Sequence, residues 1–354
     1  MNILYLLSYK TNSKPQFRVL MQLPSQIIDN HGRPVNYVRL AVTDRCNLRC
    51  FYCMPEEGIK YLPKKHLLSY EEMERLIRLL AKMGINKIRI TGGEPFLRRD
   101  LIDFMQTISE IEGIQELNIT TNGVLTEQYI SRMIDMGVKA VNLSLDTLDK
   151  ERFKKITRRD EFDKVMQCLH ALIESGMRTK INMVVMAGQN TEDIIPLAAL
   201  TKNAPVDVRY IEEMPFNGEG LRNAEFTWNY KQILATLTKQ YPNIEQLVSK
   251  PNSTSTNYQV PGHQGTLGII AAFTRNFCGS CNRIRITAQG TLKTCLYDNG
   301  VLDIKQLIRS GANDEELAKA LLGAFNKRAK DGYEAEQKRD NNLPVTESMS
   351  TIGG

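Results

Sequence analysis

Between residues 36 and 213, short β-branched runs alternate with amphipathic stretches, and this alternation constrains the fold more than anything else in the chain. Strands are expected at YVRLAV (37–42), KIRIT (87–91), ELNITT (116–121), AVNLSL (140–145), KINMVV (180–185) and VDVRYIE (206–212). Helices are expected between them, over 70–83, 99–110, 126–136, 161–175 and 191–202. In the first helix Met73, Leu76, Ile77 and Leu80 recur on one face, Ser69 and Glu72 form a capping box, and Gly84 closes the last turn. Such alternation folds as parallel βα units with right-handed crossovers. Six units rather than eight favour a partial, laterally open (β/α)6 barrel of the α/β class. In such sheets ligands sit beyond the carboxyl ends of the strands.

The first strand is followed directly by Cys46-x3-Cys50-x2-Cys53. Three thiolates hold three irons of a [4Fe–4S] cube and leave the fourth iron without a protein ligand, open to a small molecule. A structural zinc needs a fourth ligand, and nearby His66 lies beyond a turn at Pro63. A second trio, Cys278-x2-Cys281-x13-Cys295, again offers three thiolates. Its alternative reading is a zinc ribbon completed by a distant ligand such as His263, although the second C-x2-C knuckle of a ribbon is missing. The seventh cysteine, Cys168, stands in an apolar periodic stretch and is expected to be a core thiol. Clustered free thiols in a 354-residue chain point to a reducing, cytoplasmic setting rather than a disulfide framework.

Cations inside strands form the next signal. Arg39, Arg89, Lys180 and Arg209 lie within expected strands, and Arg283 and Arg285 alternate along an expected hairpin (283–296), so they share a face. Buried charges are costly unless a ligand or counter-charge meets them. Salt bridges to Glu94, Glu212 or Glu213 are one solution, and an anionic substrate is the other. The net charge of +6 suits a small acidic substrate. Basic residues are not interleaved with aromatics, which argues against nucleic acid, and no apolar run reaches the roughly 20 residues of a membrane span.

Four regions are expected: an N-terminal extension (1–24), disordered, with Met21 as an alternative start; the barrel (25–215); a C-terminal domain with the second cysteine trio (216–332); and a flexible tail (333–354) ending in Gly353-Gly354. The N-terminus lacks the basic region and cleavage site of a secretory signal. Residues 214–276 read as a connector with one helix near 229–240, followed after the hairpin by helices near 301–309 and 313–329.

TDRCNLRCFYCMP (43–55) resembles the signature of the radical S-adenosylmethionine superfamily, whose partial barrel agrees with the six βα units. KIRITGGEPFLRRD (87–100), NITTNG (118–123), VNLSLDTLD (141–149), VRYIEEMP (208–215), CGSCNRIR (278–285) and the terminal IGG resemble, in order, segments of the GTP 3′,8-cyclase family within it. The resemblance implies two [4Fe–4S] clusters and S-adenosylmethionine, with Tyr52, Gly93, Ser144 and Met214 around the cosubstrate. Asp146 could equally be a helix cap. It implies Arg39, Arg89, Thr120, Lys180, Arg283, Ile284 and Arg285 around GTP, with Arg209 a weaker member. It implies that the Gly353-Gly354 end inserts into the active site. It further implies the opening reaction of molybdenum cofactor biosynthesis: conversion of GTP to (8S)-3′,8-cyclo-7,8-dihydroguanosine 5′-triphosphate. The implied partners are a low-potential electron donor, a second copy in a homodimer and a downstream cyclic pyranopterin monophosphate synthase.

Overall fold

The computed structural model describes residues 23–216, 228–249, 251–339 and 347–353; the expectations for residues 1–22 and for Gly354 fall outside them. Six parallel strands form its centre: β3 (Tyr37–Ala41), β4 (Lys87–Thr91), β5 (Glu116–Thr121), β6 (Ala140–Ser144), β7 (Thr179–Val185) and β8 (Asp207–Glu212). They are joined in turn by α1 (Tyr70–Lys82), α2 (Leu101–Ser109), α3 (Ile130–Asp135), the pair α4 (Lys150–Thr157) and α5 (Phe162–Glu174), and α6 (Ile194–Asn203). Helix α1 begins as its sequence predicts. The Ser69 hydroxyl accepts from Glu72 N at 3.2 Å, and the Glu72 carboxylate accepts from Ser69 N at 2.7 Å. Gly84, at φ 97°, follows its C-cap.

The period of two in each strand sorts side chains between two faces. Val38, Leu40, Ile88, Ile90, Leu117 and Ile119 pack with Met73, Leu76, Ile77 and Leu80 of α1 in one apolar core. Each such side chain contributes roughly 1.5–3 kcal/mol on burial. Arg39, Arg89 and Thr120, the alternate residues, are thereby committed to the opposite face. Cys168 is fully buried in the core, as expected.

The chain beyond residue 216 extends the same sheet at both edges. Its strands are β9 (Glu245–Gln246), β10 (Thr256–Gln259), β11 (Thr266–Ile270), β12 (Arg283–Ile286), β13 (Thr291–Lys293) and β14 (Leu302–Asp303). The sheet runs β14-β13-β12-β3-β4-β5-β6-β7-β8-β11-β10-β9, with β12 parallel to β3 and β11 parallel to β8. The hairpin expected at 283–296 exists, but its first strand also closes one side of the barrel. The connector reading of 214–276 is corrected by β9, β10 and β11; β9 and β10 are short and polar, and β11 (TLGII) is a five-residue run too short to show a period of two. The expected helix there is α7 (Tyr230–Gln240). Helices α8 (Ile304–Arg309) and α9 (Asp314–Phe325) follow, then α10 (Gly332–Gln337) and α11 (Met349–Ile352), both in the segment expected to be tail. A two-strand ribbon, β1 (Ile27–Ile28) with β2 (Pro34–Val35), precedes the barrel.

Candidate active site

Parallel register sets the cations side by side. Arg285 on β12 pairs in register with Arg39 on β3, which pairs with Arg89 on β4. Across the barrel Asn182 on β7 is in register with Arg209 on β8. These residues, with Thr120, Arg283 and Ile284, line a cavity of about 180 Å³. Lys180 does not line it, although it shares a strand face with Asn182.

Several polar atoms of this wall have no partner among the described residues. Arg39 Nε, Arg89 Nε, Arg209 Nε, Arg283 Nη2, Thr120 Oγ1 and Asn182 Oδ1 are buried without a hydrogen-bond partner. Burial, with Arg39 and Arg283 adding repulsion, pushes Arg89 down to about 10. Burial and Arg89 push Arg209 down to about 9, and burial and Arg209 push Lys180 down to about 7. Two of the counter-charges considered from sequence, Glu94 and Glu212, are occupied elsewhere. Glu94 accepts from Asn122 N at 2.8 Å, Phe96 N at 3.2 Å and the Thr121 hydroxyl at 2.9 Å. Glu212 accepts from Tyr230 N, Phe273 N and Thr274 N at 2.8, 3.0 and 2.7 Å. Asp207 is taken by Arg178 and Glu116 by Lys87. Arg209 donates to the Asn142 side chain. A cavity lined this way selects a multiply charged anion with hydrogen-bond acceptors.

Cys278, Cys281 and Cys295 lie in the same cavity wall. A single 3₁₀ turn brings Cys281 N to Cys278 O at 3.1 Å, and Asp298 fixes the third cysteine by accepting from Cys295 N at 2.8 Å. Against the effect of burial, Arg283 and Arg328 pull the Cys281 thiol down to about 7. His263 plays no part here: its ring bonds Thr201 at 2.8 Å and packs on Tyr241.

Cys46, Cys50 and Cys53 occupy the loop after β3. Arg49 N and Phe51 N donate to Thr157 O and Ile156 O, which ties the loop to the end of α4. Leu48 N and the Asn122 amide donate to the Cys46 sulfur at 3.4 and 3.7 Å. Burial, with Cys53 and Glu94 adding repulsion, pushes Cys46 up to about 12. The TGGEP segment (91–95) lies against this loop backbone to backbone: Gly93 N donates to Thr43 O at 2.9 Å and Glu94 N to Arg45 O at 2.7 Å. A side chain at Gly93 would overlap the Arg45 carbonyl, so the position requires glycine.

Tyr52 reaches from the loop to donate to Asp146 at 2.8 Å, and Val184 N donates to the same carboxylate at 2.8 Å. Asp146 is therefore a cross-strand anchor; the cap of α4 is Asp149, which accepts from Arg152 N at 2.7 Å. Ser144 ends β6 half-buried, and Met214 lines the cavity. The donor sets fit iron–sulfur clusters. All six thiols are free, N–H groups point at sulfur, and no three Cys, His, Asp or Glu among the described residues converge on a point for one metal ion.

The end of the chain threads between the two cysteine trios. The Ser348 hydroxyl donates to Cys53 O at 2.7 Å, Met349 N donates to Phe216 O at 3.2 Å, and Arg285 donates to Gly353 O. Lys293, buried on β13, pairs with Glu347 at 2.6 Å. Met349 lines the cavity. Sequence reasoning did not single out Asn182, Arg33, Arg275, Lys293 or Arg328, all of which line it too. Asn182 was within reach, since it follows Lys180 by one strand period; the others are placed by contacts distant in sequence.

Residues 40–201 match the model of the radical SAM superfamily, and residues 206–334 match that of molybdenum cofactor synthesis C. Among solved structures, SuiB of Streptococcus suis shares the fold, with TM-score 0.58 at 15% identity over 84% of this chain and 67% of that one. The fold and site thus define a radical S-adenosylmethionine protein, a class that carries [4Fe–4S] clusters and S-adenosylmethionine. The GTP 3′,8-cyclase of Desulforamulus reducens is 38% identical over 93% of this chain and 100% of its own length. The Arabidopsis thaliana GTP 3′,8-cyclase, mitochondrial, is 39% identical over 86% and 78%. The chain belongs to the GTP 3′,8-cyclase family. It spans about half the length of its animal relatives, such as molybdenum cofactor biosynthesis protein 1 of Bos taurus, 42% identical over 85% of this chain and 48% of that protein.

Proposed function

We propose that the chain is a GTP 3′,8-cyclase, converting GTP to (8S)-3′,8-cyclo-7,8-dihydroguanosine 5′-triphosphate as the first step of molybdenum cofactor biosynthesis. The observation that carries this reading is the in-register row Arg285–Arg39–Arg89, in which Arg39 and Arg89 keep unpartnered donors, lining a cavity walled by a cysteine trio. A triphosphate supplies the charge that this wall lacks, and Cys278, Cys281 and Cys295 would hold a cluster whose open iron would accept a nitrogen or oxygen ligand from a purine. Cys46, Cys50 and Cys53 would hold the first cluster, which would supply one-electron reduction of S-adenosylmethionine when both were bound.

The remaining work belongs to the chain itself. Arg39, Arg89, Arg209, Arg283 and Arg285 bind the phosphates and fix the ribose, so that one C–H bond is presented to the cosubstrate side. Thr120 and Asn182 offer the remaining polar contacts, with Lys180 close by on the Asn182 face. Gly93 allows the main chain to approach the cosubstrate, and Tyr52, Ser144 and Met214 frame it. The 347–353 segment stands between the two centres and excludes water. Tyr52, Asp146 and Val184 hold the first cysteine loop against β6 and β7. The proposal extends to a cytoplasmic homodimer fed by a low-potential electron donor and drained by a cyclic pyranopterin monophosphate synthase. No helix among the described residues is long and apolar enough to cross a membrane.

Anaerobic incubation of the reconstituted chain with GTP, S-adenosylmethionine and dithionite tests the reading. GTP loss matched by 5′-deoxyadenosine and the cyclised triphosphate is expected. Deoxyadenosine without GTP loss would leave the radical chemistry standing and remove the substrate.

A further inference from the structure

A buried charge unit on the cysteine side of the same cavity grips the second cysteine group. Asp29, Arg33 and Arg328 are only 5%, 6% and 3% exposed. Arg33 Nε donates to Asp29 Oδ2 at 2.7 Å, and Arg328 Nη1 donates to the same oxygen at 3.0 Å. Asp29 Oδ1 accepts from His31 N and Arg33 N, both at 2.9 Å, so the carboxylate is fully engaged. The other guanidinium donors go to the backbone around the cysteines. Arg33 reaches Cys278 O at 3.1 Å, Lys330 O at 2.6 Å and Ala329 O at 2.9 Å. Arg328 reaches Cys281 O at 3.2 Å, Arg283 O at 3.0 Å and the Cys281 sulfur at 3.6 Å.

Two buried cations share one anion, which leaves a surplus positive charge. Burying such a set is expensive, and apolar packing would stabilise the fold at least as well. The surplus charge is aimed at the Cys281 sulfur. The same fork holds the carbonyl of Arg283, the residue that opens β12 and starts the arginine pair facing the cavity.

We propose that Arg328, oriented by Asp29 and braced by Arg33, is a positioning residue for the second iron–sulfur cluster, fixing the Cys281 thiolate and raising the cluster's reduction potential. The potential of an iron–sulfur cluster follows its net charge and the hydrogen bonds to its sulfurs. A donated N–H and a nearby cation favour the electron-rich reduced form. The inference rests on the cluster assignment above.

The test uses the full chain, anaerobically reconstituted, with iron and sulfide counted and each cluster's midpoint followed by EPR during redox titration. The second cluster is isolated by repeating the titration with Cys46, Cys50 and Cys53 replaced by Ala. In Arg328→Met the reduced-to-oxidised ratio of the second cluster at fixed potential should fall about tenfold, or ~59 mV for one electron. The first cluster should not move. Asp29→Asn keeps an acceptor for the two guanidinium groups but removes the anion that offsets them, so it should shift the same midpoint the opposite way by less. Arg328→Lys keeps the charge and loses the fork, so it should fall between wild type and Met. Either of these two variants decides the matter if Arg328→Met does not fold. A wild type with two cubes whose second midpoint and EPR spectrum stay unchanged in the variants overturns this inference alone. A wild type holding one cube overturns the cluster assignment and this inference with it.

Discussion

Replacing Arg89 with Met should stabilise the ligand-free protein while removing nucleotide binding. The fall of Arg89 from 12.5 to about 10 corresponds to about 3 kcal/mol by which its buried surroundings disfavour the charged form. Met keeps the unbranched stem and discards the charge, so this penalty disappears. One favourable contact goes with it: the guanidinium lies 5.5 Å from the Tyr37 ring, a cation–π contact contributing about 1–2 kcal/mol when desolvated. The net expectation is a gain of about 1–2 kcal/mol. With an unfolding entropy near 2.1 cal/mol/K per residue, that is an upward shift of about 2 °C for a chain of 354 residues. Bound GTP reverses the balance, because the triphosphate pairs with the same cation. Saturating GTP, at about 100 times Kd, should raise the wild-type melting free energy by about 2.7 kcal/mol and leave the variant unmoved. Anaerobic thermal melts of both reconstituted proteins, with and without GTP, check this. A variant that melts lower without ligand and is still stabilised by GTP would refute the reasoning, since Arg89 would then be a paired structural cation.

Three further outcomes follow from the same geometry. Lys180, pushed down to about 7 by burial and Arg209, is largely neutral above that pH in the ligand-free chain. A nearby triphosphate restores its charge, so GTP binding at pH 8 should take up close to one proton and weaken as pH rises past 7. Calorimetry in buffers of differing ionisation enthalpy reads the uptake, and Lys180→Met should abolish it. Its folded value lies below its unfolded one, so Lys180 also makes ligand-free stability rise with pH from about 7 towards 10.5. Gly93→Ala forces a methyl group into the Arg45 carbonyl and should cost about 1–3 kcal/mol. Iron content and the melting temperature should both drop, and full cluster loading at wild-type stability would contradict the close packing of the two loops. Lys293→Met removes the ion pair to half-exposed Glu347 and should speed removal of the chain end by carboxypeptidase severalfold, an effect that a tail held by its other contacts alone would not show.

How much of this was legible before the structure depends on whether the information is local. The strand KIRIT (87–91) carries its own period of two, so the sequence shows that Arg89 lies opposite the apolar residues. The α1 capping box and the two cysteine spacings are equally local. Helix α4 was missed because eight residues with two large apolar side chains, Phe153 and Ile156, are too few to display a helical period. Asp146 looked like a cap because the fold-wide pairing of β6 with β7 that brings Val184 to it is invisible in sequence. The arginine row shows the limit most clearly. Arg39 and Arg89 belong to consecutive strands, so a parallel sheet already makes them neighbours. Arg285 joins them only because β12 returns from the far end of the chain to pair with β3 in one particular register. A slip of one residue would turn Arg285 out of the cavity and put Ile284 or Ile286 in its place. The positive wall therefore depends on a long-range pairing, and the grip of Asp29, Arg33 and Arg328 on Arg283, the first residue of β12, is one of the contacts that holds that register.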